Sequence, residues 1–300
     1  MISSGAEIEG LIKNAISYSF ARNIDAGNLK DVDEKAIRVE WDDFVRALEE
    51  SSPAFGNKDK DDIKSHYRKG VFNYGYEFDS IWNRLLILVN QSRTNTRTPL
   101  MSVLLDGEAG VGKTAIAAKI SVESDFPFIR MISADSFIGY SEAQKCASLL
   151  KTFSDSYKSP LSIIFIDDIE RIIEYSPIGP RFSNTVLQTL LVLIRKEPPT
   201  EFSRLFIIST TCISSLLEDL YLTQAFDVKI TVPCLETPDE VRSALKECHN
   251  IVGSSINEMA AAVTKPISIK KLLMVVEMAR QQDGMVSYET FAECLHTMGL

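Results

Sequence analysis

Gly107-Glu108-Ala109-Gly110-Val111-Gly112-Lys113-Thr114 has the form G-x-x-x-x-G-K-T. It follows the apolar run Leu100-Met101-Ser102-Val103-Leu104-Leu105, which reads as a buried strand, and a helical pattern starts near Gly112. In that strand–loop–helix setting the octapeptide reads as a phosphate-binding loop. Glycines let the backbone curl until its amides face one point, and the helix start adds its partial positive end. Lys113 has the reach to meet outer phosphates, and the Thr114 hydroxyl suits a magnesium ion. Gly107, Gly110, Val111, Gly112, Lys113, Thr114 and Ala115 are therefore the candidate nucleotide-binding residues, with ATP and Mg2+ as the expected cofactors.

Downstream, Ile163-Ile164-Phe165-Ile166-Asp167-Asp168 is an apolar strand that ends in two carboxylates. The first, Asp167, is placed to organise a magnesium ion and its water shell. The second, Asp168, stands where a glutamate ordinarily orients the attacking water, and it is one methylene shorter. Shortening a positioned base by that much predicts slow hydrolysis. The alternative for both is a strand end with solvated acids. Lys113 and Asp168 are the candidate catalytic residues, and Thr114 with Asp167 the candidate metal ligands.

Further strands are predicted at Phe128–Ile132, Leu161–Ile166, Leu205–Ile208 and Val228–Val232, alternating with helical patterns. Apolar runs between helices predict an α/β core with a mainly parallel sheet covered by helices on both faces. Residues 237–300 read as helices only, at 238–249, 254–264, 268–281 and 287–298. At the other end, Ala6-Glu7-Ile8-Glu9-Gly10-Leu11-Ile12 opens an amphipathic helix with Ser3 or Ser4 as its cap, and Trp41, Phe44, Val45 and Leu48 recur at helical spacing. The charged run Asn57-Lys58-Asp59-Lys60-Asp61-Asp62 between Gly56 and the core reads as a solvated linker or a frayed helix start.

The 300 residues are 45% hydrophobic and 24% charged, ordinary for a chain that buries a sizeable core. A net charge of −9 without a dense Lys/Arg block argues against a nucleic-acid partner. The 5 cysteines are widely spaced, none in C-x-x-C, and no histidine lies near a pair of them, so neither a disulfide framework nor a zinc site is expected. Reduced thiols in the cytosol fit that spacing. The run Val186–Ile194 is too short to cross a membrane and reads as a buried helix.

Ile166-Asp167-Asp168-Ile169-Glu170-Arg171, followed by Pro177-Ile178-Gly179-Pro180-Arg181-Phe182-Ser183-Asn184, resembles the second AAA module of the N-ethylmaleimide-sensitive factor family. Ala117-Ala118-Lys119-Ile120, Tyr157-Lys158-Ser159, Ile269-Lys270-Lys271-Leu272-Leu273-Met274 and Pro53-Ala54-Phe55-Gly56 extend the resemblance over nearly the whole chain. Ser3-Ser4-Gly5-Ala6-Glu7-Ile8-Glu9-Gly10-Leu11 is similar instead to the helical lid of that family's first module. The resemblance implies a lid remnant over 1–52, a linker over 53–74, an AAA core over 75–235 and a helical lid over 236–300. It also implies that the chain begins inside the first module, as a fragment or a truncated product, with the adaptor-binding domain and first P-loop outside it.

The family's proteins form homohexameric rings that use ATP to pull apart SNARE complexes after membrane fusion. The first module does most of the hydrolysis and the second holds the ring together through bound ATP. The resemblance thus implies a homo-oligomer, SNAP adaptors and SNARE complexes engaged through parts absent from this chain, and a cytoplasmic location peripheral to Golgi and vesicle membranes. It carries several positions over. Lys270 falls at sensor 2, or is a solvated lid lysine. Phe72-Asn73-Tyr74-Gly75 falls where the adenine pocket begins, with Tyr74 and Gly75 as binding residues or Tyr74 as core. Cys212 fills the sensor-1 position that usually bears Asn, and a thiol is a weak donor. Leu216–Phe226 has no arginine for a finger, a loss that typically removes a factor of roughly a thousand or more. Phe137-Ile138-Gly139 has the form of a pore loop, or is a turn with a core Phe, and Arg181 is an interprotomer or a solvated residue. The competing expectations are a fast protein-remodelling motor, a purely structural fragment and, least favoured by the acidic balance, a DNA loader.

Overall fold

The computed structural model describes residues 5–23, 38–50, 58–68, 70–95, 97–179, 181–248, 251, 255–280 and 285–299. Ser3, Ser4, Pro53-Ala54-Phe55-Gly56 and Pro180 lie outside these. The chain divides into two compact units, Met1–Asp62 and Ile63–Leu300.

In the first unit, α1 (Gly5–Asn23) packs against α2 (Trp41–Glu50). Ala15, Ser19, Asp43 and Ala47 are buried between small side chains that let the helices approach. Arg22 ties them, its Nη1 donating to Glu40 Oε2 at 2.8 Å and its Nη2 lying 3.2 Å from Asp43 Oδ2. The Ser19 hydroxyl donates to Arg38 O at 2.9 Å. The apolar residues whose spacing predicts these helices, Ile8 and Ile12 on α1 and Trp41, Val45 and Leu48 on α2, remain exposed. Within the stretch expected to be linker, Lys58–Ser65 is a helix, α3, because its register turns Ile63 inward; that side chain is fully buried in the second unit's core.

The second unit is built on five parallel strands in the order β2-β3-β4-β1-β5: β1 (Leu100–Asp106), β2 (Phe128–Ile132), β3 (Leu161–Ile166), β4 (Arg204–Thr211) and β5 (Val228–Thr231). The period-2 alternation of a strand sorts their side chains between two cores. Val103, Leu105, Ile163, Phe165, Phe206 and Ile208 face α4 (Tyr76–Thr94) and α5 (Lys113–Glu123). Leu104, Ile164, Ile166, Leu205 and Ile207 face α6 (Glu142–Ser156), the short α7 (Ile169–Ile172) and α8 (Asn184–Arg195). Both sheet faces are covered, which is why the strands read as continuous apolar runs. α8 holds the Val186–Ile194 run with Val186, Leu187, Leu190, Leu193 and Ile194 buried, and no described helix is long and apolar enough to cross a membrane.

β4 runs three residues past the predicted end at Ile208, to Thr211. Ser209, Thr210 and Thr211 are fully buried polar residues that a hydropathy reading assigns to a loop. After the short α9 (Ser214–Asp219) and β5, four helices follow: α10 (Pro238–Lys246), α11 (Ile256–Ala262), α12 (Ile269–Met278) and α13 (Tyr288–Thr297). Thr237 and Glu240 form a capping box that starts α10. Paired bonds between Leu235 and Ile267, N to O at 2.8 and 3.0 Å, close the base of this helical layer.

Candidate nucleotide site

β1 sits inside the sheet, between β4 and β5, and the loop Gly107–Gly112 leaves its carboxyl end, where ligands of open α/β sheets bind. Glycine is required at Gly107, whose φ is 154° and where a Cβ would stand 2.3 Å from Val232 O. Gly110 and Gly112 have φ of 88° and 101°, and Gly112 stands at the start of α5. Val111 is buried and anchors the loop; Ala115 lies in the first turn of α5.

Lys113 is only 4% exposed and its ammonium donates to Gly107 O and Glu108 O, both at 2.7 Å, and to Cys212 Sγ at 3.3 Å. Thr114 Oγ1 donates to Asp167 Oδ1 at 2.8 Å, and Thr210 Oγ1 donates to the same oxygen at 2.8 Å. Thr210 in turn accepts the Asp168 amide at 2.9 Å. The start of α5 and the ends of β3 and β4 thus converge on one carboxylate. Burial pushes Asp167 above the usual carboxylate range, with Asp168 adding to it, against the two hydroxyl bonds that lower it. A half-buried carboxylate that accepts two threonine hydroxyls, near a glycine loop that holds the Lys113 ammonium, suits a divalent cation and a phosphate chain, so these residues fit ATP with magnesium.

The hydrolytic side of the site is built differently. Asp168 has left-handed backbone (φ 48°, ψ 64°), and its Oδ2 lies 3.3 Å from Arg171 Nε. Cys212 ends the β4 region; its amide donates to Glu170 Oε1 at 2.8 Å, and its Sγ is 4.0 Å from Asp168 Oδ1. Burial pushes the Cys212 thiol up, with Lys113 opposing. The donor atoms of Asp168, Glu170 and Cys212 lie within 4.8 Å of one another, and the Lys113 ammonium supplies the positive charge beside them. Thr210 and Glu170 were not singled out by sequence reasoning. A polar residue inside an otherwise apolar strand end is the signal for Thr210; Glu170 carries none.

Lys270, predicted from resemblance, is brought to the loop: its amide donates to Gly110 O at 3.0 Å, and its side chain is exposed. Tyr74 and Gly75 are held instead by α4 and α10. Tyr74 is 3% exposed and stacks edge-on to Phe78, and burial pushes its phenol up. A Cβ on Gly75 would lie 3.7 Å from Ser243 Oγ, and the Asn73 amide donates to Glu247 Oε2 at 3.0 Å. Phe137 is buried under Tyr140, while Ile138 is exposed, so the aromatic of the pore-loop form belongs to the core. Arg181, bridged antiparallel to Ser176, lines an open groove of about 900 Å³ with Glu142, Glu174, Ile178 and Phe182.

Residues 103–234 match the ATPase family associated with various cellular activities (AAA). The chain carries an AAA domain. Over 299 residues the chain is 42% identical to the vesicle-fusing ATPase of Dictyostelium discoideum, a match that takes in 99% of this chain and 40% of that protein. Against the vesicle-fusing ATPase of Arabidopsis thaliana it is 40% identical over 282 residues, 94% of this chain and 38% of the relative. For that of Caenorhabditis elegans the figures are 34% over 310 residues, 99% and 37%. These three relatives are vesicle-fusing ATPases, as the stretches around Ile166–Arg171 and Pro177–Asn184 lead one to expect, and the chain spans about 40% of their length.

Proposed function

We propose that this AAA domain binds ATP with magnesium to hold a homo-oligomer together, a hexamer by family resemblance, and hydrolyses it slowly. On this reading the domain belongs to a SNARE-disassembling vesicle-fusion ATPase that works in the cytoplasm at Golgi and vesicle membranes, with SNAP adaptors and SNARE complexes engaged elsewhere in the assembly. The observation that carries the reading is the contrast within one site. Thr114 and Thr210 converge on Asp167 beside the glycine loop that holds Lys113, while Asp168 is short and paired with Arg171 and Cys212 presents a thiol.

Thr114 and Asp167 would hold the magnesium ion, which when bound neutralises charge across the outer phosphates. Lys113 exchanges its two carbonyl partners for phosphate oxygens. The amides of Gly110, Gly112 and Thr114 line the chain of phosphates. Thr210 keeps Asp167 oriented from the neighbouring strand. Asp168, with the Glu170 carboxylate beside it, is left to orient a water at a reach one methylene short, and Cys212 offers the terminal phosphate only a weak donor. Binding without rapid turnover follows. A ligand that favours the assembled form stabilises it, so slow turnover keeps the assembly closed.

Size-exclusion chromatography with light scattering tests this. The chain should assemble with ATP and magnesium and remain monomeric without them, and Lys113→Ala should remain monomeric in both. A wild-type chain that binds ATP yet stays monomeric overturns the assembly role. Turnover at about 1 s−1 or faster, in the ordinary enzyme range, overturns the slow-hydrolysis role.

A further inference from the structure

Two carboxylates and a thiol, those of Asp168, Glu170 and Cys212, meet beside the phosphate loop. Their donor atoms lie within 4.8 Å of one another, with Cys212 Sγ 4.0 Å from Asp168 Oδ1. Asp168 and Glu170 follow β3 and Cys212 follows β4, so the pairing of these two strands brings the three together. They meet only in space, which is why the spacing of the cysteines gives no sign of a metal site. Glu170 carries the argument. It is 6% exposed, its Oε1 accepts the Cys212 amide at 2.8 Å, and its Oε2 is buried with no hydrogen-bond partner. A buried polar atom without a partner costs at least about 1–3 kcal/mol.

The nearby cations do not answer that oxygen. Arg171 reaches Asp168 and is 73% exposed, so it offsets little. The Lys113 ammonium touches Cys212 Sγ at 3.3 Å but is also held by Gly107 O and Glu108 O. A dication that bonds sulfur and oxygen together would complete Glu170. Magnesium keeps to oxygen ligands, whereas zinc takes thiolate and carboxylate in one site. Tetrahedral bonds of about 2.3 Å to sulfur and about 2.1 Å to oxygen set zinc's donors about 3.6 Å apart. The three side chains would close by about 1.2 Å at most to reach that spacing. The Asp168 side chain, 27% exposed, leaves a way in from solvent. We propose that Asp168, Glu170 and Cys212 form a zinc site beside the magnesium position at Thr114 and Asp167, with water as the fourth ligand. The thiol proton passes to water as the metal binds. One consequence rests on the nucleotide reading above: zinc takes Asp168 from the attacking water, so it stalls hydrolysis with ATP still held.

Zinc chloride titrated calorimetrically into the full chain, with excess magnesium and no nucleotide, tests the site on wild type, Cys212→Ser and Glu170→Gln. Glutamine keeps an oxygen for the Cys212 amide. Each variant should bind zinc about tenfold to a hundredfold more weakly, at least the loss expected for an outer partner of a metal. Cobalt(II) should give wild type a thiolate charge-transfer band that Cys212→Ser lacks. No band in wild type, a band that survives in Cys212→Ser, or equal zinc affinity in all three chains overturns the site. Saturating zinc should slow phosphate release about tenfold or more. Zinc bound with release unchanged overturns the stalling. A chain that binds zinc but no ATP overturns the nucleotide reading and leaves the metal site standing.

Discussion

Replacing Asp168 by glutamate isolates the step that the site lacks. The substitution adds one methylene, carrying the carboxylate about 1.5 Å further from the backbone. A misplacement of about 1 Å costs on the order of a hundredfold in rate, so restoring the reach should raise turnover by about that factor. Two features of the structure bear on the variant. Asp168 has φ 48° and ψ 64°, a conformation that aspartate tolerates better than glutamate, so the variant should lose about 1 kcal/mol of stability. Its carboxylate also lies 3.3 Å from Arg171 Nε, with side chains 27% and 73% exposed. A pair that exposed contributes well under about 1 kcal/mol and cannot hold the longer side chain back. The net expectation is faster hydrolysis, unchanged ATP affinity and a Tm lower by about 2–4 °C. Phosphate release at saturating ATP and magnesium, measured beside ATP binding, reads all of this. Turnover within twofold of wild type, with ATP still bound, refutes the argument that reach at position 168 limits the reaction.

The glycines separate strain from space: Gly107→Ala places a Cβ 2.3 Å from Val232 O and should cost about 3 kcal/mol or more, a Tm drop of about 6–12 °C. Gly139→Ala, with φ 80° but open space around it, should cost only about 1 kcal/mol, and equal losses measured by thermal melts would show that the contact at Val232 is unimportant. Burial pushes the Cys234 and Cys248 thiols from 9.0 up to about 11, with Glu108 adding to the first and Glu247 to the second. Their maleimide labelling, followed by mass spectrometry, should therefore climb about tenfold per pH unit through pH 10, and a plateau near pH 9 would contradict it. The sign for stability follows: the fold favours the neutral thiols, so stability falls as pH rises from about 9 towards 11 and is undiminished by these groups below that range.

What the sequence made legible is what is local. The phosphate loop is eight consecutive residues whose backbone demands are written in glycine, and strands buried on both faces announce themselves as apolar runs. β4 was cut short at Ile208 because Ser209, Thr210 and Thr211 look like loop, although they are buried and Thr210 grips Asp167. Phe137 has an aromatic's ambiguity: the same side chain serves a pore or a core, and only packing under Tyr140 decides. Helical periodicity found α2, yet Trp41, Val45 and Leu48 that reveal it are exposed, because the period reports a helix and not what covers it. The pairing of Gly110 with Ser268 and Lys270 joins residues about 160 positions apart, and no local pattern encodes it.

That long-range pairing bears on how an ATPase with the slow turnover proposed above can still act. The helical layer meets the core through the Leu235–Ile267 pair, through Lys270 on Gly110, and through Glu247 with Ser243 at the segment before α4. Two of these three seams touch residues expected to hold nucleotide, one at the phosphate end and one at Gly75. They lie at the edge of one continuous apolar core, in which Val241, Leu245, Ile267 and Leu272 of the helical layer cluster with Val103, Leu105 and Val232 of the sheet layer. A ligand that bridges both seams would add polar contacts to what that shared apolar core already fixes. On the proposed reading, ATP occupancy adjusts the edge of this interface, where Lys270 meets Gly110, and leaves its apolar centre in place.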